Sequence, residues 1–202
     1  MASKSAQAFR KARDRARMLV ADSGGSRGKP LSMDYKDTYL HAALALLVAA
    51  WEAYLERLIV ETQRLLGESE SNQRLTAILS LLSALAAKEI KKFNTPTADN
   101  SRNLLLAHTG FDPLNAWHWS AGGLNAIQSR QRLDEILRVR HCFAHGASIP
   151  TDVHWAINRK VHGHLTKVAL KMADRFLTHM VDATDAGMAS HLATVYDIAV
   201  HW

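Results

Sequence analysis

A single cysteine, Cys142, in 202 residues leaves no pair for an internal disulfide framework and suits a reducing compartment. Long apolar runs are also missing. The longest, Ala42 to Trp51, is ended by Glu52 and does not reach the roughly 18 residues of a membrane span. The N-terminus has no apolar core of the secretory type, and its arginine-rich, acid-poor makeup is shared with organellar transit peptides in that respect alone. A cytoplasmic protein without membrane contact is therefore expected. No strand-like alternation lasts beyond four or five residues, and there is neither an internal repeat nor a phosphate-binding glycine loop. What is present is ordinary for a folded chain: 48% hydrophobic and 22% charged, long enough for one well-buried core.

The net charge of +6 is unevenly placed. Of the 25 basic and 19 acidic residues, eight basic and two acidic fall within residues 1–29, which leaves 17 of each in the remainder. Two readings of this basic segment stand. Arg10, Lys11, Arg13 and Arg17 can track an RNA backbone, or they can form a solvated helix face.

Apolar residues at steps of three and four predict helices along most of the chain. Phe9, Ala12, Ala16, Leu19 and Val20 mark one over residues 4–21. The stretch Ser23 to Pro30, rich in glycine and serine, follows as a flexible linker and divides residues 1–30 from a body of 31–202. A long helix from Met33 to Leu66 carries Leu40, Leu44, Leu47, Trp51, Tyr54, Leu58 and Leu65. A third, capped by Ser71 or Asn72, presents a broad apolar face from Leu75 to Ile90. A short helix over 99–107, a turn begun by Asp112-Pro113 and an irregular loop with Trp117 and Trp119 come next. The pattern then predicts a helix over 124–144, one through Leu165 to Val181, and a separate last one through Leu192 to Ala199. The fold class is all-α, a helical bundle with a basic N-terminal helix and a tryptophan-rich insert.

The segment Arg140-His141-Cys142-Phe143-Ala144-His145-Gly146 carries the most chemistry. Metal-free cleavage of RNA needs a base for the 2′-OH proton, an acid for the leaving 5′-oxygen and a cation for charge building on phosphorus. Histidine titrates near neutrality and serves as base or acid. The planar guanidinium of arginine forks onto phosphate oxygens. Arg140 and His145 thus fit the task, provided the helix ends between them, because five residues on a straight helix are about 140° apart. Gly146 supplies such an ending. The competing reading is a histidine placed near a helix C-terminus by the dipole alone. His141 either orients phosphate or is a solvated helix residue. Glu52 flanks the apolar stripe beside Trp51, where an unpaired carboxylate is costly, and Arg140 is the partner it calls for; a surface glutamate at the stripe's margin is the alternative. Cys142 lies between two histidines, yet one cysteine lacks the four-ligand spacing of a structural zinc site, so a small buried hydrophobe is the better reading. Neither a metal nor another cofactor is expected. The tryptophans can stack bases, but Trp51 belongs to the core.

Two segments together resemble a known family. Residues 39–56, an apolar run ending in Trp51-Glu52-Ala53-Tyr54, resemble the long early helix of HEPN domains of the RiboL-PSP kind. Residues 133–146 resemble that group's Arg-polar-x-x-Ala-His-Gly signature. Gly110-Phe111-Asp112-Pro113, with the tryptophans after it, stands where the group has a similar insert. The likeness spans roughly residues 33–185. It implies an antiparallel bundle that dimerises and apposes two Arg/His motifs. It further implies a metal-independent endoribonuclease of toxin or antiviral-defence type, or a catalytically silent relative that binds RNA or protein. An antitoxin or another defence protein is an implied partner. One departure is Ala147, where HEPN toxins regulated by nucleotidyltransferase antitoxins carry a tyrosine, which puts that regulation in doubt.

Overall fold

The computed structural model describes residues 2–24, 32–69, 72–156, 164–200 and 202. They form six α-helices: α1 (Lys4–Asp22), α2 (Met33–Ser69), α3 (Gln73–Ile90), α4 (Ala98–Thr109), α5 (Ala126–Ala144) and α6 (Lys167–Val195). Two 3₁₀ turns, Pro113–Asn115 and Ser120–Gly122, shape the tryptophan-bearing insert. No strand is present among the described residues, and a lone bridge between Trp119 and Leu124 closes the insert. The all-α class read from the periodicity is the class observed.

α2 is the spine. Its stripe Leu44, Leu47, Trp51, Tyr54, Leu55, Leu58 and Ile59 is buried, and every other helix packs on it. Local chemistry sets the helix starts as the sequence suggested. Ser3, Asn72, Thr97 and Thr166 each accept a first-turn backbone N–H, and Asp112 does the same for the 3₁₀ turn that follows it. Asn125 and Gln128 form a reciprocal capping box at the start of α5.

Three expectations need correction. The N-terminal basic helix is not an independent arm. Ala6, Phe9 and Ala16 are buried against the bundle, and Phe9 meets Tyr54 edge to face at 6.4 Å. Ser3 donates from its backbone N–H and from its hydroxyl to the buried carboxylate of Asp185 on α6. Most of the proposed linker, residues 25–30, lies outside the described residues. Burial of an aromatic ring and two alanines outweighs the basic composition that suggested a segment separate from the body.

The separate last helix is likewise not separate. α6 runs unbroken to Val195, and Ile198 folds back to donate its N–H to the carbonyl of Leu192. Gly187 sits inside this helix without breaking it. A Cβ there would come within 2.6 Å of the Phe111 ring, so the glycine serves close packing.

The broad face of α3 is the third case. Of its apolar residues only Ala86 is buried, while Leu75, Ile78, Leu81, Leu82 and Leu85 are all about half exposed. α3 leans on the spine along a narrow line, and among the described residues its apolar face is covered only in part, where Leu75, Ile78 and Leu82 line a hollow with Tyr196 and Ile198. Trp117, by contrast, is fully buried, with its Nε1–H donating to Thr184 Oγ1 at 2.8 Å; Trp119 packs between Phe176 and His179. Neither ring of the insert is free to stack on a base.

Candidate functional site

The site grows from the end of α5. The helix stops in a Schellman motif: Ala147 donates to the carbonyl of Cys142 at 2.8 Å and Gly146 to that of Phe143 at 3.1 Å. Gly146 takes φ +65°, a left-handed conformation that suits glycine, and His145 is the capping residue. The chain then turns back along α5, burying Ile149, Val153 and Ala156, and a two-pronged Arg138–Asp152 bridge (2.9 and 3.0 Å) ties the return. A helix ending after Arg140 and before Gly146 is thus in place.

His145 stands over His141, one turn earlier, with ring centroids 4.2 Å apart. Both rings are exposed, while Arg140 on the neighbouring flank is half-buried. No carboxylate among the described residues lies within 4 Å of Arg140, so Glu52 is not bonded to it directly. The two nonetheless interact. Burial pushes the Glu52 carboxyl above the usual glutamate range, the negative charge of Glu56 adds to that, and the charge of Arg140 opposes both. Glu52 is therefore a half-buried carboxyl within the field of the motif arginine, at the meeting of α2 and α5. Cys142 is half-buried and makes no disulfide, and no cluster of three or more metal-ligating side chains occurs among the described residues.

Beneath the motif lies a residue that the sequence reading missed. His41 of α2 is buried, and its ring stacks on Phe143 at 4.4 Å with planes 4° apart. Asp37, one turn earlier, approaches His41 Nε2 and His164 Nδ1 at 3.4 Å each. Burial drives the His41 pKa down, Asp37 opposes that, and the neighbouring His164 adds to it; the ring supports Phe143 and with it the α5 terminus. The spacing of Asp37 and His41, four apart on a predicted helix, was the available signal. Of the remaining histidines, His108 pairs with Glu89, His179 donates to the carbonyl of His118, and His191 donates to that of Thr109. These three tie elements of the fold together.

The basic residues of α1 are placed differently from the motif. Arg10 pairs with Asp182 at 2.9 Å, Arg17 with Asp174 at 2.7 Å, and Arg13 donates to Thr178 Oγ1 at 2.9 Å beside the same Asp174. Lys11 is exposed. Three of the four cations expected to meet RNA thus hold α1 to α6.

An antiparallel bundle with an arginine and a histidine astride a glycine-stopped helix end defines the HEPN class of helical domains, whose known members are nuclease- and RNA-related. The family model RiboL-PSP-HEPN matches residues 19–185, and the chain belongs to that family. The match takes in only the last four residues of α1, Leu19–Asp22. No curated protein and no solved structure matches the chain. Among the described residues no helix is long and apolar enough to cross a membrane.

Proposed function

We propose that the protein is a metal-independent endoribonuclease in which Arg140 and His145 act on a phosphodiester at a two-fold interface. The observation that carries this reading is the α5 terminus, where the Schellman turn presents two imidazoles side by side next to an arginine held in the field of Glu52.

One histidine takes the 2′-OH proton as that oxygen attacks phosphorus. The P–O5′ bond breaks, and a protonated histidine delivers its proton to the departing 5′-oxygen. The products are a 2′,3′-cyclic phosphate and a 5′-hydroxyl, and Arg140 neutralises charge on the non-bridging oxygens. Attack and departure are in line, so base and acid stand on opposite sides of phosphorus. Rings only 4.2 Å apart in one chain occupy one side. A second copy across a two-fold axis supplies the other, which is the physical ground for a homodimer.

Cleavage of RNA in excess EDTA by the wild type, beside His145→Ala and Arg140→Ala, is the test. Each substitution is expected to abolish cleavage without changing the thermal melt, with cyclic phosphate ends in the wild-type products and DNA left intact. Activity restored only by a divalent cation, or cleavage of DNA, would end this mechanism. One rival stands beside it, a silent HEPN module that binds RNA or a protein partner. That rival shows RNA affinity without turnover in the same assay.

A further inference from the structure

Three of the six cations of α1 are spent on α6, but α6 brings its own. Between the two helices lies a groove of about 510 Å³ whose floor includes Ala16, Val20, Leu47 and Leu170. Lys167, Lys171 and Arg175 rise along one side at steps of four on α6, and Arg17 stands opposite. The carboxylate in this groove, Asp174, is already engaged by Arg13 and Arg17. Among the described residues no carboxylate lies within 4 Å of Lys167, Lys171 or Arg175, and all three are exposed.

Lys167 also lines a second hollow, of about 340 Å³, together with Lys36, Asp37 and His164. Asp37 reaches His41, and His41 lies flat under Phe143, two residues before His145. Lys167 thus borders both hollows, and the second is tied to the end of α5 only through the buried His41 beneath Phe143.

We propose that this groove binds the backbone of single-stranded RNA. Cations four apart on a helix stand about 6 Å apart, one turn, and so can follow successive phosphates of an extended strand. The groove has no aromatic ring to stack on a base, so its binding would be to the phosphate backbone and insensitive to sequence. Tight ion pairing of Asp174 leaves the groove with a net positive field rather than a balanced one. The choice of RNA as the ligand rests on the nuclease reading above, while the groove and its charge do not.

The experiment uses full-length His145→Ala protein, so that binding is read without turnover, and a short labelled oligouridylate followed by fluorescence anisotropy across a salt series. Lys167→Glu/Lys171→Glu is expected to weaken binding at least tenfold at low salt. It should also reduce the slope of log affinity against log salt by about 1.4, at about 0.7 per lost phosphate contact. Lys91→Glu/Lys92→Glu, on exposed lysines just past α3, should change neither quantity. If charge reversal lowers the melting temperature, Lys167→Gln/Lys171→Gln gives the same test with a smaller perturbation. An unchanged slope, equal losses from both lysine pairs, or no RNA affinity in the parent would overturn the proposal. So would an acidic polypeptide of matched charge that competes as well as RNA, since it would assign the groove to a protein partner. A wild type that binds through the groove but never cleaves keeps the groove and removes the nuclease.

Discussion

Glu52 shows at the scale of one residue how this site trades stability for position. Burial is the main cause of its raised pKa, with Glu56 adding to it and Arg140 only partly compensating. A carboxyl whose folded pKa is raised favours the folded state while protonated. That contribution is complete below the unfolded value and is lost as pH rises through the folded value. Glu52→Gln should therefore match the wild-type melting temperature at acidic pH and exceed it near neutrality. The same change removes the negative charge that steadies Arg140, so cleavage should fall about tenfold. Thermal melts across pH with parallel kinetics check both; a variant less stable at neutral pH would show that the pair's attraction outweighs burial. Gly146 is the other decisive single residue. A Cβ there meets nothing within 4 Å, so Gly146→Ala carries only the left-handed backbone strain. It should cost about 1 kcal/mol in urea unfolding. Because that strain falls beside His145, cleavage should drop by more than the stability loss explains.

Among the elements, α1 and α3 contrast in what they bury. α1 looks polar in sequence yet seats Phe9 and two alanines in the core, with ion pairs to α6 around them. Phe9→Ala should lower stability by about 3 kcal/mol, as aromatic truncations in a core do. Arg10→Ala should cost well under 1 kcal/mol, because both members of its pair are about half exposed. Urea titrations distinguish the two, and a Phe9→Ala protein as stable as the wild type would return α1 to the role of a detachable arm. α3 looks apolar but rests on the spine through Ala86 and the partly buried Ile90, and its leucines face outward. Its composition marks a face without saying what lies against it.

On the scale of the whole molecule the proposed mechanism asks for a second copy of the motif. The paired imidazoles sit on one side of any phosphate they meet, and the arginine lies on the flank toward α2. A homodimer that apposes two α5 ends is the expected solution state. Light scattering at tens of micromolar should report twice the chain mass of 22.4 kDa. A monomer under those conditions would count against the two-sided mechanism and favour the silent module.

The sequence by itself determined the class of fold, the spine and the stop. Helical spacing from Leu40 to Tyr54 could be read directly because one face of one helix makes a periodic signal. Gly146 could be read because few residues adopt positive φ without cost. The paired segments around Glu52 and Arg140 were enough to indicate the family. Tertiary structure alone decided the rest, since it depends on what each face meets. The last two predicted helices are one because Gly187 sits inside α6, where the ring of Phe111 fills the place of a side chain. Arg13 and Arg17 read as free cations until α6 brings Asp174 against them. His41 had no visible role until Phe143, about a hundred positions later, came to rest on it. The groove exists only because residues from both ends of the chain are brought side by side, and no spacing along a sequence encodes that juxtaposition.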